Sequence, residues 1–343
     1  MTTPRSGKAA VLGGGIGGLT AANTLLRHGW HVDVFERSAA LPESGTALGL
    51  WPEALDALET AGLGGAAESQ GVLQTSGTFR RWDGRVIARF EGIRRPAVLL
   101  SRPALLGLLA GGVPSGTIRF GRPAPAPGDL TGYDVVIAAD GIGSPTRDLL
   151  FGDAYRPLYT GLTAWRGWVA GTTDDTSESW GPGALFGITP RDGDLTNWFA
   201  AVRAPAGSTG GLDDVRERYR HWHPAVRDVL DRVEPGTVLH HDLYESPRLP
   251  SYVRGTVALI GDAAHAMAPN LGRGACEAMV DGATLATLLT LHPVPDALRR
   301  YDRERRRRTQ RLVTASHLVS RLTTAHRGTG IRDAILAGAA RFA

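Results

Sequence analysis

The stretch KAAVLGGGIGGLT (8–20) decides the fold. KAAVL (8–12) reads as a buried strand, the glycines of 13–18 as a turn, and Leu19 to His28 as a helix with Leu19, Ala22, Leu25 and Leu26 on one face. Gly13, Gly15 and Gly18 satisfy the G-x-G-x-x-G spacing. The first glycine permits a tight turn, the second lets a pyrophosphate approach the backbone, and the third lets helix and strand pack closely. The helix N-terminus then points free N–H groups at the phosphates. HVDVFE (31–36) alternates as a second strand and ends on Glu36, placed to accept hydrogen bonds from an adenosine ribose and to repel a 2′-phosphate. A glycine-rich turn without ligand is the competing reading. A second string, GLGGAA (62–67), follows a helix and not a strand, and is set aside.

Magnitudes call for more than this turn. An anion at a helix N-terminus gains about 0.3–2 kcal/mol, whereas micromolar retention of a cofactor needs about 8 kcal/mol. Two later segments stand where strands end: ADGIGSPTR (139–147) and GDAAHAMAPNLGRGA (261–275). Each puts an aspartate, Asp140 or Asp262, at the carboxyl end of a buried strand, where open α/β sheets bind ligands. Helix capping is the alternative for either residue.

YDVVIAAD (133–140) and TVALIGD (256–262) read as strands buried on both faces. Pro52 opens a helix to about Ala61, TFRRW-DG-RVIARF (78–90) is a hairpin, and another helix starts near Pro103. From Tyr155 to about Ser251 the texture changes to short aromatic runs broken by Gly, Pro and Asp. These suggest an antiparallel sheet interrupted by one helical stretch, 213–232. Residues 296–325 read as a long helix carrying RERRRR. The order predicts an α/β protein: a Rossmann-like dinucleotide domain (1–77, 96–154 and 252–295), an inserted, mostly antiparallel substrate domain (78–95 and 155–251), and a C-terminal helical segment (296–343).

Composition narrows the chemistry. The 343 residues hold one lysine, Lys8, and one cysteine, Cys276. Schiff-base chemistry, a disulfide framework, a cysteine-based metal cluster and a dithiol pair are all disfavoured. His221 with His223, and His240 with His241, lack carboxylates at metal-site spacing, so no metal is expected. A formal charge of +4 is modest for this length, and Asp302 and Glu304 flank the arginine run, so no nucleic-acid partner is expected. No apolar run is long enough to span a membrane, and MTTPRSGK leaves no room for a signal peptide's apolar core. A cytoplasmic protein is the expectation.

Taken together, GGGIGGLTAA…VFER, ADGIGSPTR and GDAAHAMAPNLGRGACEAM resemble the single-component flavoprotein monooxygenases, the group that includes salicylate hydroxylase and para-hydroxybenzoate hydroxylase. The resemblance covers nearly the whole chain and extends to GTALGLWPEALDALETAGL (45–63) and LLSRPALLGLL (99–109). Its departures are the PAPAPG shortcut at 123–128 and ERRRR (304–308) in place of an ERRPR-like helix. It implies FAD as cofactor, NADPH or NADH as reductant, and oxygen transfer to an aromatic or polycyclic phenolic substrate through a flavin hydroperoxide. A dehydrogenase or reductase of the same fold, or a flavin-binding protein without turnover, are the alternatives.

The resemblance also implies roles. Gly13, Gly15, Gly18, Glu36 and Arg37 belong to the FAD fingerprint, and Arg102 lies along the cofactor. Asp140, Gly141 and Arg147 handle FAD and NAD(P)H. Gly261 opens the second FAD motif, in which Asp262 meets the ribityl chain, Pro269 lies over the flavin, and Leu271 and Gly272 meet its pyrimidine end. For the substrate, Trp165, Arg166, Phe186, Trp198 and Pro269 are the candidate pocket residues, with Arg166 suited to hold an anion or phenolate.

Overall fold

The computed structural model describes residues 5–339; residues 1–4 of the N-terminal stretch and 340–343 of the C-terminal segment lie outside the described residues. Three sheets organise the chain. The first has six strands in the order Val253–Arg254, Val257–Leu259, Val135–Ala138, Lys8–Leu12, His31–Phe35, Ile118–Arg119. All pairs are parallel except the first. Its central strands are buried on both faces, as their continuous apolar runs require. The helices Ile16–Arg27 and Gly274–Leu291 pack closely against one another through small residues. A β-carbon on Gly282 would lie 2.5 Å from the carbonyl oxygen of Gly17.

Register makes this sheet a binding platform. Phe35, Leu12, Ala138 and Leu259 lie in one cross-strand row at the carboxyl ends of their strands. The glycine turn, Glu36, the 139–147 loop and the 260–265 loop therefore leave the sheet along a single edge.

The second sheet has seven strands in the order Leu239–Glu245, Leu158–Ala170, Leu195–Arg203, Ala184–Arg191, Ser177–Gly181, Gly77–Arg81, Val86–Phe90. It is antiparallel except where Ser177–Gly181 runs parallel to Gly77–Arg81. The hairpin at 77–90 thus joins the sheet built from residues 158–245. The helical stretch expected at 213–232 is in fact two helices, Leu212–Tyr219 and Pro224–Arg232, because Pro224 cannot continue the first and instead opens the second. Both cover one face of the sheet. A small third sheet, Ala47–Leu50, Ala97–Ser101 and Val72–Gln74, lies between the other two in the chain's connectivity.

The PAPAPG segment runs as loop from Ile118–Arg119, a short edge strand, into the single turn Pro127–Asp129. The arginine-rich region lies on the 30-residue helix Val294–Thr323. No helix among the described residues is long and apolar enough to cross a membrane.

Candidate active site

The glycine turn is shaped around two different demands. Gly13 has φ +110°, and a β-carbon there would stand 2.3 Å from the Ala139 carbonyl oxygen, so the neighbouring strand forbids any side chain. At Gly15 no protein atom lies within 4 Å of that position, and the space opens toward a ligand. Gly18 is closed again, 2.2 Å from the Gly13 carbonyl oxygen, which fixes the contact of helix and strand. Glu36 braces the turn. One carboxylate oxygen accepts from the Gly14 N–H at 2.8 Å and the other from the Ser38 N–H at 2.8 Å. Arg37 beside it is exposed.

In the next loop, Ser144 rather than Asp140 is the N-cap of the helix Pro145–Phe151, its hydroxyl accepting from the Arg147 N–H at 2.9 Å. Asp140 assists by accepting from the Thr146 N–H at 3.1 Å, while its second oxygen is buried without a hydrogen-bond partner. Gly141 turns the chain between them with φ +80°. Arg147 departs from expectation. It is 0% exposed and donates to the carbonyls of Ile142 (2.7 Å) and Ala263 (3.3 Å). Its guanidinium is therefore an internal clasp between the two aspartate loops.

Asp262 heads the short helix Asp262–His265, but Gly261, at φ +58°, occupies the cap position. The Asp262 carboxylate accepts no hydrogen bond among the described residues and remains solvent-accessible. Crowding by protein raises its pKa, against the opposing charges of His265 and Arg102. Arg102, at the start of the helix Arg102–Gly111, lies close enough for its charge to act on Asp262. Two bonds from the turn between the strands Ala184–Arg191 and Leu195–Arg203 set its position: the Asp192 carboxylate accepts from the Ser101 N–H (2.6 Å) and hydroxyl (2.8 Å). Pro269 and Leu271 bound a single turn, Pro269–Leu271, after which Gly272 adopts φ +61° and the helix Gly274–Leu291 begins.

Behind these loops lies a buried charge network that sequence reasoning missed. His265 Nε2 is 2.5 Å from one Asp281 oxygen, which also accepts from the Gly261 N–H at 2.9 Å. Arg305 donates to the other Asp281 oxygen at 2.6 Å and also pairs with Glu277, which Arg273 links at 3.0 Å and ties on to Glu53. Burial alone would raise the Asp281 pKa, but His265 and Arg305 outweigh it and hold the carboxyl down to about 2. His265 moves up, because Asp281 overcomes the desolvation that would lower it. One arginine of the 303–308 run, Arg305, is thus a core residue, 2% exposed.

The large sheet separates the substrate candidates. Trp165, Phe186 and Trp198 face the helices Leu212–Tyr219 and Pro224–Arg232, in a core with Val215, Tyr219 and Trp222. Phe186 stacks on Trp198 with centroids 5.8 Å apart, and the Trp165 indole donates to the Gly210 carbonyl at 2.9 Å. These three aromatics pack the core and do not line a pocket. Arg166 projects from the opposite face, half-buried, with its pKa lowered first by desolvation and then by the charge of Arg102. No carboxylate lies within salt-bridge distance of it among the described residues. Phe199, Asn197 and Glu178 share its face and were missed. The period-2 alternation of Ser177–Gly181 and Leu195–Arg203 around their tryptophans was the available signal.

The residues present fit a dinucleotide: open space at Gly15, a free oxygen on Asp140, an unbonded Asp262 carboxylate and an exposed Arg102 all face one edge. Among the described residues no group of three or more His, Cys, Asp or Glu could hold a metal ion. Cys276 is buried, its thiol pushed up to about 11 by burial, which leaves it unreactive.

Comparison with known proteins agrees with this geometry. The family described as FAD binding domain matches residues 7–105 and 179–316. Aurachin C monooxygenase/isomerase of Stigmatella aurantiaca is 31% identical, over 91% of this chain and 88% of that protein. 3-amino-4-hydroxybenzoate 2-monooxygenase of Streptomyces cremeus is also 31% identical, with the same coverage of 91% and 88%. The crystal structure of Klebsiella pneumoniae HpxO complexed with FAD and uric acid superposes with a TM-score of 0.86 at 26% identity, covering 98% of this chain and 93% of that one. The chain belongs to the FAD binding domain family and, within it, to the single-component FAD-dependent monooxygenases.

Proposed function

We propose that this protein uses NAD(P)H and molecular oxygen to hydroxylate an aromatic or polycyclic phenolic small molecule, held with its acidic oxygen toward Arg166. The observation that carries this reading is Arg166 itself: a half-buried guanidinium without a carboxylate partner among the described residues, beside Arg102, on the sheet face turned away from the aromatic core. An arginine desolvated next to another cation gains most from an anionic ligand that restores its lost interactions. Of the relatives named above, one is a 3-amino-4-hydroxybenzoate 2-monooxygenase and HpxO is complexed with uric acid, both ring compounds.

The chain's own residues divide the work. Gly13, Gly15 and Gly18 shape the pyrophosphate seat, Glu36 takes the adenosine ribose, and Asp140 and Asp262 offer carboxylate oxygens to the cofactor's hydroxyls. Pro269, Leu271 and Gly272 set the backbone against its ring end. FAD, when bound, supplies electron storage and oxygen activation that no side chain here can provide. The segments 78–95 and 155–251 shield the reacting centre from water and aim the substrate, while 1–77, 96–154 and 252–295 hold the cofactor. The test is isotopic. With labelled oxygen gas, NAD(P)H and a turned-over phenol, one labelled oxygen atom should enter the product. A product that has lost two hydrogens and gained no label would move the protein to the dehydrogenases.

A further inference from the structure

Glu178 stands in the same cross-strand row as Arg166. Arg166 is paired with Phe199, Phe199 with Gly187, and Gly187 with Glu178. Strands lie about 4.8 Å apart, so three steps place the two charged residues about 14 Å apart at the backbone. Between them the row is low and aromatic. The Phe199 ring lies over Gly187, where a β-carbon would meet it at 2.0 Å. Ala164, Leu185 and Ala201 surround it with apolar surface.

Packing alone does not account for Glu178. One oxygen accepts from the Trp180 indole at 2.5 Å, its one side-chain partner among the described residues. The arginines nearby are engaged elsewhere: Arg81 with Asp83 and Asp333, Arg332 with Asp333 and the Thr323 carbonyl. Desolvation by the surrounding protein pushes the carboxyl up to about 7, yet the residue stays partly solvent-accessible. An uncharged acceptor would serve Trp180 as well without the desolvation cost.

We propose that Glu178 is the second polar anchor of the substrate pocket, accepting a hydrogen bond from a ring O–H or N–H at the end of the substrate remote from Arg166. This rests on the reading of Arg166 given above and narrows the substrate class. With both side chains standing roughly perpendicular to the sheet, their tips keep about the backbone spacing, and two hydrogen bonds of about 2.9 Å leave about 8 Å between the ligand's polar atoms. That span fits a fused bicyclic ring with an acidic oxygen at one end and a donor at the other.

A matched pair of probes tests it: 2,6-dihydroxynaphthalene and its monomethyl ether, 6-methoxy-2-naphthol, titrated into the FAD-loaded protein at pH 8 and read by flavin absorbance and by thermal shift. Wild type should bind the diol about tenfold more tightly, the worth of one hydrogen bond to a charged acceptor. Glu178→Leu should bring the ratio to about one with the ether's affinity unchanged. Glu178→Gln, which keeps an oxygen toward Trp180, should retain a reduced preference and guards against a folding defect in the leucine variant. Arg166→Ala should weaken both probes together. If Glu178→Leu keeps the tenfold ratio while Arg166→Ala weakens both, the Glu178 proposal is wrong and the Arg166 reading stands. If Arg166→Ala changes neither affinity, or neither probe binds wild type, the Arg166 reading fails and takes Glu178 with it.

Discussion

Trp165 and Arg166, adjacent in the chain, stand on opposite faces of one strand: the indole stacks on His240 with centroids 4.5 Å apart and packs under the covering helices, while the guanidinium stands on the other face, within reach of the charge of Arg102. Their substitutions should therefore separate stability from function. Trp165→Ala removes a core aromatic and is expected to cost about 3–5 kcal/mol of unfolding free energy, read by denaturant titration. FAD affinity of the folded fraction should not change. Arg166→Ala is expected to leave the denaturation midpoint near wild type and to raise the fraction of NAD(P)H oxidation that ends as hydrogen peroxide, because a loosely held phenol misses the oxygen transfer. A stable Trp165→Ala protein, or a strongly destabilised Arg166→Ala protein, would reverse the assignment of the two faces.

The same pair shows what was legible in the sequence. The strand–turn–helix at 8–28 was readable because glycine spacing, strand periodicity and a terminal Glu36 report local geometry, and local geometry is what sequence patterns encode. The edge shared by Gly13, Asp140 and Asp262 was readable because each follows an apolar strand. The substrate face was not. The aromatic-rich sheet suggests Trp165, Phe186 and Trp198 as pocket residues, yet strand alternation already forbids Trp165 and Arg166 from sharing a face. Which of two faces stays open depends on the helices Leu212–Tyr219 and Pro224–Arg232 covering the other, a tertiary fact. The clasps of Arg147 and Arg305 are illegible for a related reason: they reach Ala263 and Asp281, 116 and 24 residues away, beyond any local pattern.

Gly15 and Gly18 should fail differently. A side chain at Gly15 meets no protein atom, so Gly15→Val is expected to fold with near wild-type apoprotein stability and to lose FAD, seen as a colourless protein after reconstitution. At Gly18 even a methyl group would stand 2.2 Å from the Gly13 carbonyl oxygen. Gly18→Ala should cost about 1–3 kcal/mol in the apoprotein, the usual cost of overpacking. Equal apoprotein stability in the two variants would contradict the geometry of the turn.

Acid should find the network behind the flavin-side loops. Asp281 is depressed from its ordinary 3.8 to about 2 by His265 and Arg305, against burial. A depressed carboxyl contributes stability that is complete above its unfolded value and is lost as pH falls through the folded one. Unfolding midpoints should therefore decline between about pH 4 and pH 2, and Asp281→Asn should flatten that part of the profile. The variant should also be less stable at neutral pH by about 3–5 kcal/mol, since it leaves Arg305 and His265 short of a countercharge. A wild-type slope in Asp281→Asn would assign the acid transition to other carboxylates.

Asp262 offers the sharpest test of the cofactor site, because binding and stability should move in opposite directions. Its carboxylate makes no hydrogen bond among the described residues, and crowding raises its pKa above the ordinary 3.8. A carboxyl raised in the folded state contributes most below its unfolded value and loses that contribution as pH rises through the folded pKa. At neutral pH the apoprotein is thus destabilised by this charge, and Asp262→Ala should be as stable as wild type or more so at pH 7, with no such gain near pH 3. A helix cap would behave otherwise, since its loss costs about 0.5–2 kcal/mol at neutral pH. FAD affinity should fall, because one or two hydrogen bonds to a charged acceptor are worth about 1.5–3 kcal/mol each, or roughly tenfold to a hundredfold in Kd. Paired measurements, apoprotein melting at pH 7 and pH 3 and FAD titration by fluorescence quenching, distinguish the cases. Lower apoprotein stability at pH 7 with unchanged FAD affinity would make Asp262 a structural residue and remove it from the cofactor site.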